Sequence, residues 1–208
     1  SESGYDRVIG EMVKPFGKTY TQDIKIKILG TPEPDTARIA ITEMQLPYTV
    51  DEFLTIYRAK VKEELQNPTL MPGAEKLVRH LHKHDIPIAV ATSSSQDSME
   101  LKTKNHQSLF KLFHHIVCGS TDPEVKHGKP APDIFLVCAS RFPDKPSPDQ
   151  CVVLEDAPNG AKGAIAAGMQ AVLVPDPGVP EECRRPATLV LKSLTEFQPE
   201  LFGLPAFD

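Results

Sequence analysis

The fold of this chain is decided by residues 151–160, which read Cys-Val-Val-Leu-Glu-Asp-Ala-Pro-Asn-Gly. The apolar run 151–154 predicts a buried β-strand, and Glu155 and Asp156 follow it directly. Two adjacent carboxylates at the end of a buried strand are unfavourable unless a positive group meets them. The carboxyl ends of parallel strands are also where α/β proteins bind ligands. The stretch therefore predicts an α/β fold with a divalent cation at a strand end, and oxygen ligands favour magnesium.

The composition narrows the classes of partner and compartment. Of the 208 residues, 40% are hydrophobic and 25% are charged, as in a globular domain. The net charge of −5 argues against a nucleic acid polymer or an anionic membrane as partner, because both favour clustered Lys and Arg. The basic groups 60–62 and 102–104 are interpreted as solvated helix faces. No apolar stretch reaches about 18 residues, so no membrane span is predicted.

The cysteines predict a reducing environment. No two of them form a Cys-x-x-Cys pair, so the sequence gives no sign of a zinc or redox motif. We interpret Cys118 and Cys151, which lie in apolar runs, as small buried hydrophobes. This use of cysteine fits a cytoplasmic protein. Separately, we expect the protein to be a monomer.

The first third of the chain reads mainly as helices. Amphipathic patterns at 5–13 and 37–44 predict two of them. Thr49 and Glu52 form a capping box that predicts a third helix start, and an apolar stripe at four-residue spacing follows it. By contrast, the strict alternation of residues 24–28 predicts a short strand.

From residue 69 onward, helices and strands alternate. Apolar runs predict strands at 86–91, 116–118, 151–154, 171–174 and 188–191. Helical patterns between them cover 75–84, 98–112, 133–141 and 158–167. Nearly continuous apolar strands separated by helices indicate a parallel sheet covered on both faces. We therefore predict an α/β, Rossmann-like, three-layer core.

Polar residues follow the strand predicted at 86–91. Thr92 and Ser93 come at a strand-to-helix turn, where hydroxyls and backbone amides could bind an anion. The alternative interpretation is an ordinary N-cap of the next helix.

Lys129 lies in a loop that two prolines stiffen, Pro130 and Pro132. A lysine held in one place could neutralise a phosphate or a carboxylate, although a solvated surface lysine is the alternative. Asp133 is interpreted as the cap of the following helix and as a possible partner of Lys129. For His127 we favour a structural or solvent-facing role over a ligand or acid.

In this order, Thr92, Lys129 and the pair Glu155–Asp156, each after a strand, resemble the haloacid dehalogenase-like phosphatases. The second motif of that family is a Thr or Ser that ends an apolar strand. Its third motif is a Lys, here within Gly-Lys-Pro-x-Pro-Asp, and its fourth is an acidic pair, here within Glu-Asp-Ala-Pro-Asn-Gly. The resemblance covers the whole chain.

The resemblance implies a domain organisation. One subgroup of the family has a helical cap inserted after the first core strand. By this similarity, residues 1–68 form a small helical cap and residues 69–208 form the α/β core. The family also favours a helix at 24–28, against the alternation.

The resemblance further implies a magnesium-dependent phosphatase that acts on a small phosphorylated metabolite, a nucleotide-like sugar phosphate. Thr92, Ser93 and Lys129 would bind the substrate phosphate, with Thr92 and Lys129 as catalytic residues. Glu155 and Asp156 would bind Mg²⁺. In this family the phosphoryl group passes through an aspartyl phosphate before water releases it.

The aspartates of that intermediate belong to the family's first motif, Asp-x-Asp at the end of the first core strand. No two aspartates of this chain have that spacing, and Ser1, Glu2 and Tyr5 resemble residues that follow the motif. We therefore expect residues 69–208 to lack that strand, to bind metal weakly and to expose an apolar slot with unpaired backbone groups.

Two interpretations of this absence stay open. The first is an active phosphatase whose first motif lies outside the 208 residues. The second is a non-catalytic relative that binds phosphate or a protein partner. A phosphoacceptor signalling domain is disfavoured, because the acidic residues of such domains come before the Thr and Lys and because such domains lack a helical first half.

Overall fold

The computed structural model describes residues 2–28, 31, 33–66 and 68–208, without the side chains of residues 2, 3, 65 and 66. It divides the chain into two compact units, 1–68 and 69–208. The described helices of the first unit are α1 (Glu2–Val13), α2 (Gln22–Ile28), α3 (Glu33–Met44) and α4 (Val50–Gln66). Their apolar faces share one core, in which Val13, Ala37 and Phe53 are completely buried. No helix in these described ranges is long and apolar enough to cross a membrane.

Residues 24–28 belong to helix α2, so the strand predicted from their alternation is wrong. Ile24 and Ile28 are buried in the core of the first unit, whereas Ile26 is 56% exposed. Residues four apart share one face of a helix, so the outer two isoleucines can be buried together while the middle one faces solvent. Packing of that face overrides a two-residue alternation that is only five residues long.

The predicted capping box at the start of α4 is confirmed. The Glu52 backbone N–H donates to Thr49 Oγ1 at 3.3 Å, and the Thr49 N–H donates to Glu52 Oε2 at 2.8 Å. Phe53, which follows the capping box directly, stacks with Tyr57 one turn further on, and their ring centroids are 5.9 Å apart. The cap thus fixes the start of the helix, and the stacked rings anchor it in the core.

The second unit alternates short strands and helices. Its strands are β1 (Ala89–Thr92), β2 (His115–Cys118), β3 (Val152–Glu155), β4 (Gln170–Leu173) and β5 (Leu189–Val190). Its helices are α5 (Ala74–Lys83), α6 (Gln96–Thr103), α7 (Gln107–Phe110), α8 (Asp133–Ser140), α9 (Pro158–Ala166) and α10 (Glu181–Arg184). All five predicted strands are present, although β1 begins three residues later than predicted, after Pro87, which has no N–H to donate. The helix predicted at 98–112 is α6 and α7, separated by a 3₁₀ turn, and α10 was not predicted.

Both faces of the parallel strands are covered, as predicted. Ala171 and Leu173 of β4 pack into a cluster with residues of α8 and α9. Val172, between them, points to the other face and packs with Leu77 and Leu81 of α5. The result is a Rossmann-type α/β arrangement with helices on the two sides of the strands. The four cysteines are free, and burial raises the pKa of Cys138 to about 11.

The strands pair in two separate groups. β1 pairs with β2, and β3 pairs with β4, which also pairs with β5, all in parallel. In the part of the chain that the structure describes, neither β1 nor β3 has a second neighbour. Every residue of β1 and β3 is only half-buried, whereas residues 171–173 of β4 are completely buried. β1 and β3 therefore each present one open edge.

Candidate functional site

The centre of the candidate site is a buried ion pair. Lys129 Nζ lies against Glu155 Oε1 and also donates to the carbonyl oxygen of Ala91 at 3.0 Å. The two charged side chains are 14% and 9% exposed. The Lys129 ammonium also lies 5.1 Å from the ring centroid of Phe135. Lys129 is therefore not the solvated surface lysine that the alternative interpretation required.

Glu155 is positioned by its strand and by a glycine. It is the last residue of β3, and its carbonyl oxygen accepts from the Val174 N–H at 2.8 Å. A Cβ added to Gly160 in α9 would lie 2.0 Å from the carboxyl carbon of Glu155. Such a contact is impossible for any larger residue unless the carboxylate moves. Gly160 thus leaves the space that the Glu155 side chain occupies beside α9.

The loop 126–132, which carries Lys129, is held by contacts on both sides of the lysine in sequence. Ahead of the lysine, Asp133 Oδ2 accepts from the backbone N–H groups of Lys126 and His127, at 3.0 and 2.9 Å. These hydrogen bonds, that from His127 first, lower the pKa of Asp133. Behind the lysine, α9 packs so closely that a Cβ at Gly163 would lie 3.1 Å from the Ala131 carbonyl oxygen. The loop therefore has little freedom to move Lys129.

The prediction for Asp133 is wrong in detail. Pro132 occupies the N-cap position of α8, and Asp133 is the first residue of the helix. Its carboxylate holds the preceding loop instead of pairing with Lys129, because the loop turns its backbone N–H groups toward it. The His127 ring is 78% exposed and lies 3.4 Å from Asp133, in agreement with the predicted solvent-facing role.

Thr92 ends β1, and its side chain does not cap the next helix. Its Oγ1 accepts from the Ser94 N–H at 3.2 Å, and its carbonyl oxygen accepts from the Gly119 N–H at 2.7 Å. The N-cap of α6 is Ser95, whose Oγ accepts from the Ser98 N–H. Ser93 is exposed between the strand and the cap. Ser95 therefore caps α6, and the hydroxyls of Thr92 and Ser93 lie at the strand end without a capping role.

Sequence reasoning missed Lys102 of α6, which was interpreted as part of a solvated helix face. Its Nζ donates to Ser94 Oγ at 3.0 Å, so it braces the turn after Thr92 from the helix side. The side chain is half-buried, and this burial lowers the pKa of Lys102. No local pattern signals the contact, because it joins residues eight positions apart through the tertiary fold.

The structure brings the ends of β1 and β3 to one ammonium group. Lys129 Nζ contacts the carbonyl oxygen of Ala91, next to Thr92, and the carboxylate of Glu155, next to Asp156. A cation at this position, beside a turn with exposed hydroxyls, can bind an anionic group such as a phosphate.

The donor set for magnesium is only partly present. Glu155 is paired with Lys129, and Asp156 is the second carboxylate at the strand end. Among the described residues, the one group of three His, Cys, Asp or Glu side chains close enough for one ion lies elsewhere. Magnesium usually takes one or two protein carboxylates and completes its shell with water and substrate oxygens. Asp156 fits that chemistry, but the pair alone does not enclose an ion.

A family model described as haloacid dehalogenase-like hydrolase matches residues 38–168, more than half of the chain. The chain belongs to the haloacid dehalogenase-like hydrolases. The match includes Thr92, Lys129, Glu155 and Asp156, the residues on which the resemblance was built.

Individual relatives of this hydrolase match most of its length. It is 50% identical to probable pseudouridine-5′-phosphatase of Drosophila melanogaster, over 96% of this chain and 87% of that protein. It is 40% identical to (DL)-glycerol-3-phosphatase 2 of Arabidopsis thaliana, over 100% of this chain and 88% of that protein. A hydrolase of the same family from Deinococcus radiodurans, crystallised with phosphate and sodium, superposes with a TM-score of 0.82 at 24% identity. That superposition covers 100% of this chain and 93% of the other, and it shows the shared fold.

Proposed function

We propose that this protein is a magnesium-dependent phosphatase that hydrolyses a small phosphomonoester, with pseudouridine 5′-phosphate as its substrate. The observation that carries the proposal is the buried ammonium of Lys129 between the ends of β1 and β3. The substrate is suggested by two relatives that are named as probable pseudouridine-5′-phosphatases, the Drosophila protein at 50% identity and a Saccharomyces cerevisiae protein at 35%.

Lys129, Thr92 and Ser93 bind the substrate phosphate in this proposal. Phosphoryl transfer needs positive charge and hydrogen-bond donors on the phosphoryl oxygens more than it needs other chemistry from the protein. Glu155 holds Lys129 in place, and the hydrogen bonds of loop 126–132 limit the movement of this lysine. The turn after Thr92 adds hydroxyl and amide donors, braced by Lys102.

Asp156 would hold Mg²⁺, and Glu155 would contribute its charge through water or through Lys129. When bound, the ion offsets negative charge on the phosphoryl oxygens. The residues of this chain then do the remaining work. Lys129 orients the phosphate, and the ends of β1 and β3 fix the distance between the phosphate-binding turn and the carboxylates.

We place the Asp-x-Asp motif on a strand that fits between the open edges of β1 and β3. The carbonyl oxygens of Ile88 and Thr92 accept from the N–H groups of residues 114 and 119, which flank β2. The backbone N–H and C=O groups of Ala89 and Ala91 therefore point away from β2. In and next to β3, the carbonyl oxygens of Cys151 and Glu155 accept from the N–H groups of residues 170 and 174. The backbone N–H and C=O groups of Val152 and Leu154 therefore point away from β4. A strand in this gap would end beside Lys129, and its first Asp would attack phosphorus from there.

The unit of residues 1–68 acts as the cap domain in this proposal, and the unit of residues 69–208 as the catalytic core. The two compact units are the observation that supports this division. The resemblance gives the helical unit the task of selecting the leaving group, as mobile caps and lids do in many enzymes.

Phosphate release is the test, measured on the protein extended by an upstream strand that carries Asp-x-Asp. With Mg²⁺ we expect turnover of pseudouridine 5′-phosphate well above that of glycerol 3-phosphate. Changing the first Asp of the motif to Asn should abolish it. If the extended protein releases no phosphate from a panel of phosphomonoesters, the enzyme assignment is lost and the non-catalytic interpretation stands. Turnover of glycerol 3-phosphate alone would retain the phosphatase and reject the substrate.

A further inference from the structure

A second group of ligand-type side chains lies at the end of α5, before β1 begins. His80 is in the last turn of α5, and His84 follows four residues later at its C-cap. Residues four apart lie on one helix face, and the two rings are 4.6 Å apart between centroids. Asp208 approaches from the far end of the chain, with Oδ1 3.9 Å from His84 Nε2. One ligand atom from each of the three residues lies within 4.8 Å of the others.

His84 Nε2 lacks the partner that a buried nitrogen normally has. It is the one buried side-chain nitrogen or oxygen without a hydrogen bond among the described residues. Buried polar atoms are almost always satisfied, so each exception calls for a physical reason such as a missing ion. Here the unsatisfied atom points toward the Asp208 carboxylate at a distance too long for a hydrogen bond.

His80 has the environment of a metal-binding histidine. Its side chain is buried, and Nε2 faces the carbonyl oxygen of Pro205 at 2.8 Å. A carbonyl can only accept, so Nε2 carries the proton, and in the neutral ring the lone pair is on Nδ1. A backbone carbonyl that fixes the tautomer in this way is the usual outer partner of a histidine that binds a metal.

Asp208 is already aligned for a shared role. Lys83 Nζ pairs with Oδ2, which leaves Oδ1 directed to His84. A tetrahedral zinc ion with bonds of about 2.0 to 2.1 Å needs ligand atoms roughly 3.3 Å apart. The present separations exceed that by a distance that small side-chain rotations can close. Two imidazoles and one carboxylate suit zinc far better than magnesium.

We propose that His80, His84 and Asp208 bind a divalent transition-metal ion, Zn²⁺ by ligand chemistry, and that the ion fastens residues 205–208 to α5. The site is separate from the phosphoryl site, since it precedes the amino end of β1 whereas Thr92 ends that strand. It does not depend on the proposed phosphatase activity.

Zinc binding to the purified full chain, without a histidine tag, tests the site by competition with a chromophoric chelator. We expect one Zn²⁺ per chain, with the affinity lowered at least tenfold in His84→Ala and in Asp208→Asn. His82→Ala is the matched control, because His82 is exposed on the same helix and lies outside the cluster; its affinity should equal that of the unchanged protein. Stoichiometric binding that persists in both variants, or an equal loss in the control, overturns the proposal, as does the absence of binding at micromolar zinc.

Hydrogen exchange is a second test, and it stays informative even if the His84 variant does not fold, because it does not use that variant. Added Zn²⁺ should slow amide exchange of residues 203–208 in the unchanged protein and in His82→Ala, but not in Asp208→Asn. The Asp208 side chain is 64% exposed, so its substitution leaves the core packing intact. Unchanged exchange of this segment in zinc-saturated protein contradicts the fastening role.

Discussion

Lys129 and Glu155 illustrate how single residues determine the site. Each is a charge that burial disfavours, and each is tolerated because the other is within contact. The pair also satisfies a backbone carbonyl at the open edge of β1, because Lys129 donates to Ala91. A lysine with one carboxylate and one carbonyl partner keeps a third N–H direction for a ligand.

Lys129→Ala should reduce phosphate release by about a hundredfold or more in the extended protein, because a preorganised charge is lost from the phosphoryl oxygens. Lys126→Ala is the matched control, since Lys126 is exposed in the same loop. The measurement is kcat at saturating substrate, at a temperature where both variants are folded. Near-normal turnover in Lys129→Ala would remove this lysine from the chemistry.

Gly160→Ala tests whether the helix start must leave space for Glu155. The new Cβ would lie 2.0 Å from the Glu155 carboxyl carbon, so the side chain must move and release Lys129. We expect a loss of about 1 to 3 kcal/mol in the free energy of unfolding, together with reduced turnover. Gly128→Ala is the control, because no atom lies within 4 Å of its added Cβ. Urea denaturation measures the free energy of unfolding of both variants, and equal values for the two would contradict the steric explanation.

At the scale of elements, the loop between β2 and α8 carries Lys129, the proposed phosphate-binding lysine, and is tied to the end of α8. Arg141 donates to both oxygens of Asp122, at 2.6 and 2.9 Å, and also reaches Glu124. The side chain of Asp122 is 12% exposed, whereas that of Glu124 is 64% exposed. The bidentate contact therefore closes the loop, and the exposed contact adds little.

This contact predicts how stability depends on pH. The hydrogen bonds from Arg141, first among the causes, lower the pKa of Asp122 below its usual 3.8. The unfolded chain then binds a proton at higher pH than the folded chain. The stabilisation is therefore fully present above the unfolded pKa and is lost as pH falls through the folded pKa.

Asp122→Asn should lower the free energy of unfolding by about 1 to 3 kcal/mol near neutral pH, and the difference from the unchanged protein should shrink below about pH 4. Urea denaturation between about pH 2 and pH 7 measures both curves. Glu124→Gln is the control and should show a smaller effect at every pH. A difference that stays constant with pH means that the charge of Asp122 does not carry the stabilisation.

On the scale of the whole molecule, the second unit has well-covered faces, but β1 and β3 each have one edge without a strand neighbour among the described residues. β4 lies between two partners and is completely buried at 171–173, whereas β1 and β3 are half-buried throughout. Unpaired edges of apolar strands are unfavourable and prone to pair with other chains. A further strand beside Lys129 would pair the backbone groups that β1 and β3 leave open, and we expect it to stabilise both strands.

Hydrogen exchange resolved by residue can detect this edge. In the 208-residue chain, the amides of Val152 and Leu154 should exchange at least tenfold faster than those of Val172 and Leu173, because they face away from β4. Addition of the upstream strand should remove the difference. Equal protection in the 208-residue chain, at a concentration where it is monomeric, would show that the edge is already covered and would count against the proposed placement of the Asp-x-Asp strand.

The sequence by itself determined the α/β class, the strand order along the chain and the residues at the strand ends, since these follow from local apolar runs and from polar residues directly after them. It also determined the capping box of α4, which is complete within four residues. Contacts between distant residues were decided by the tertiary structure alone: Lys129 with Glu155, Lys102 with Ser94, and Asp208 with His84. The same holds for the helix at 24–28, where burial of two isoleucines against the first unit outweighs their alternation. Local pattern fixes which residues can form an element, but only packing decides which faces are buried and which charges meet.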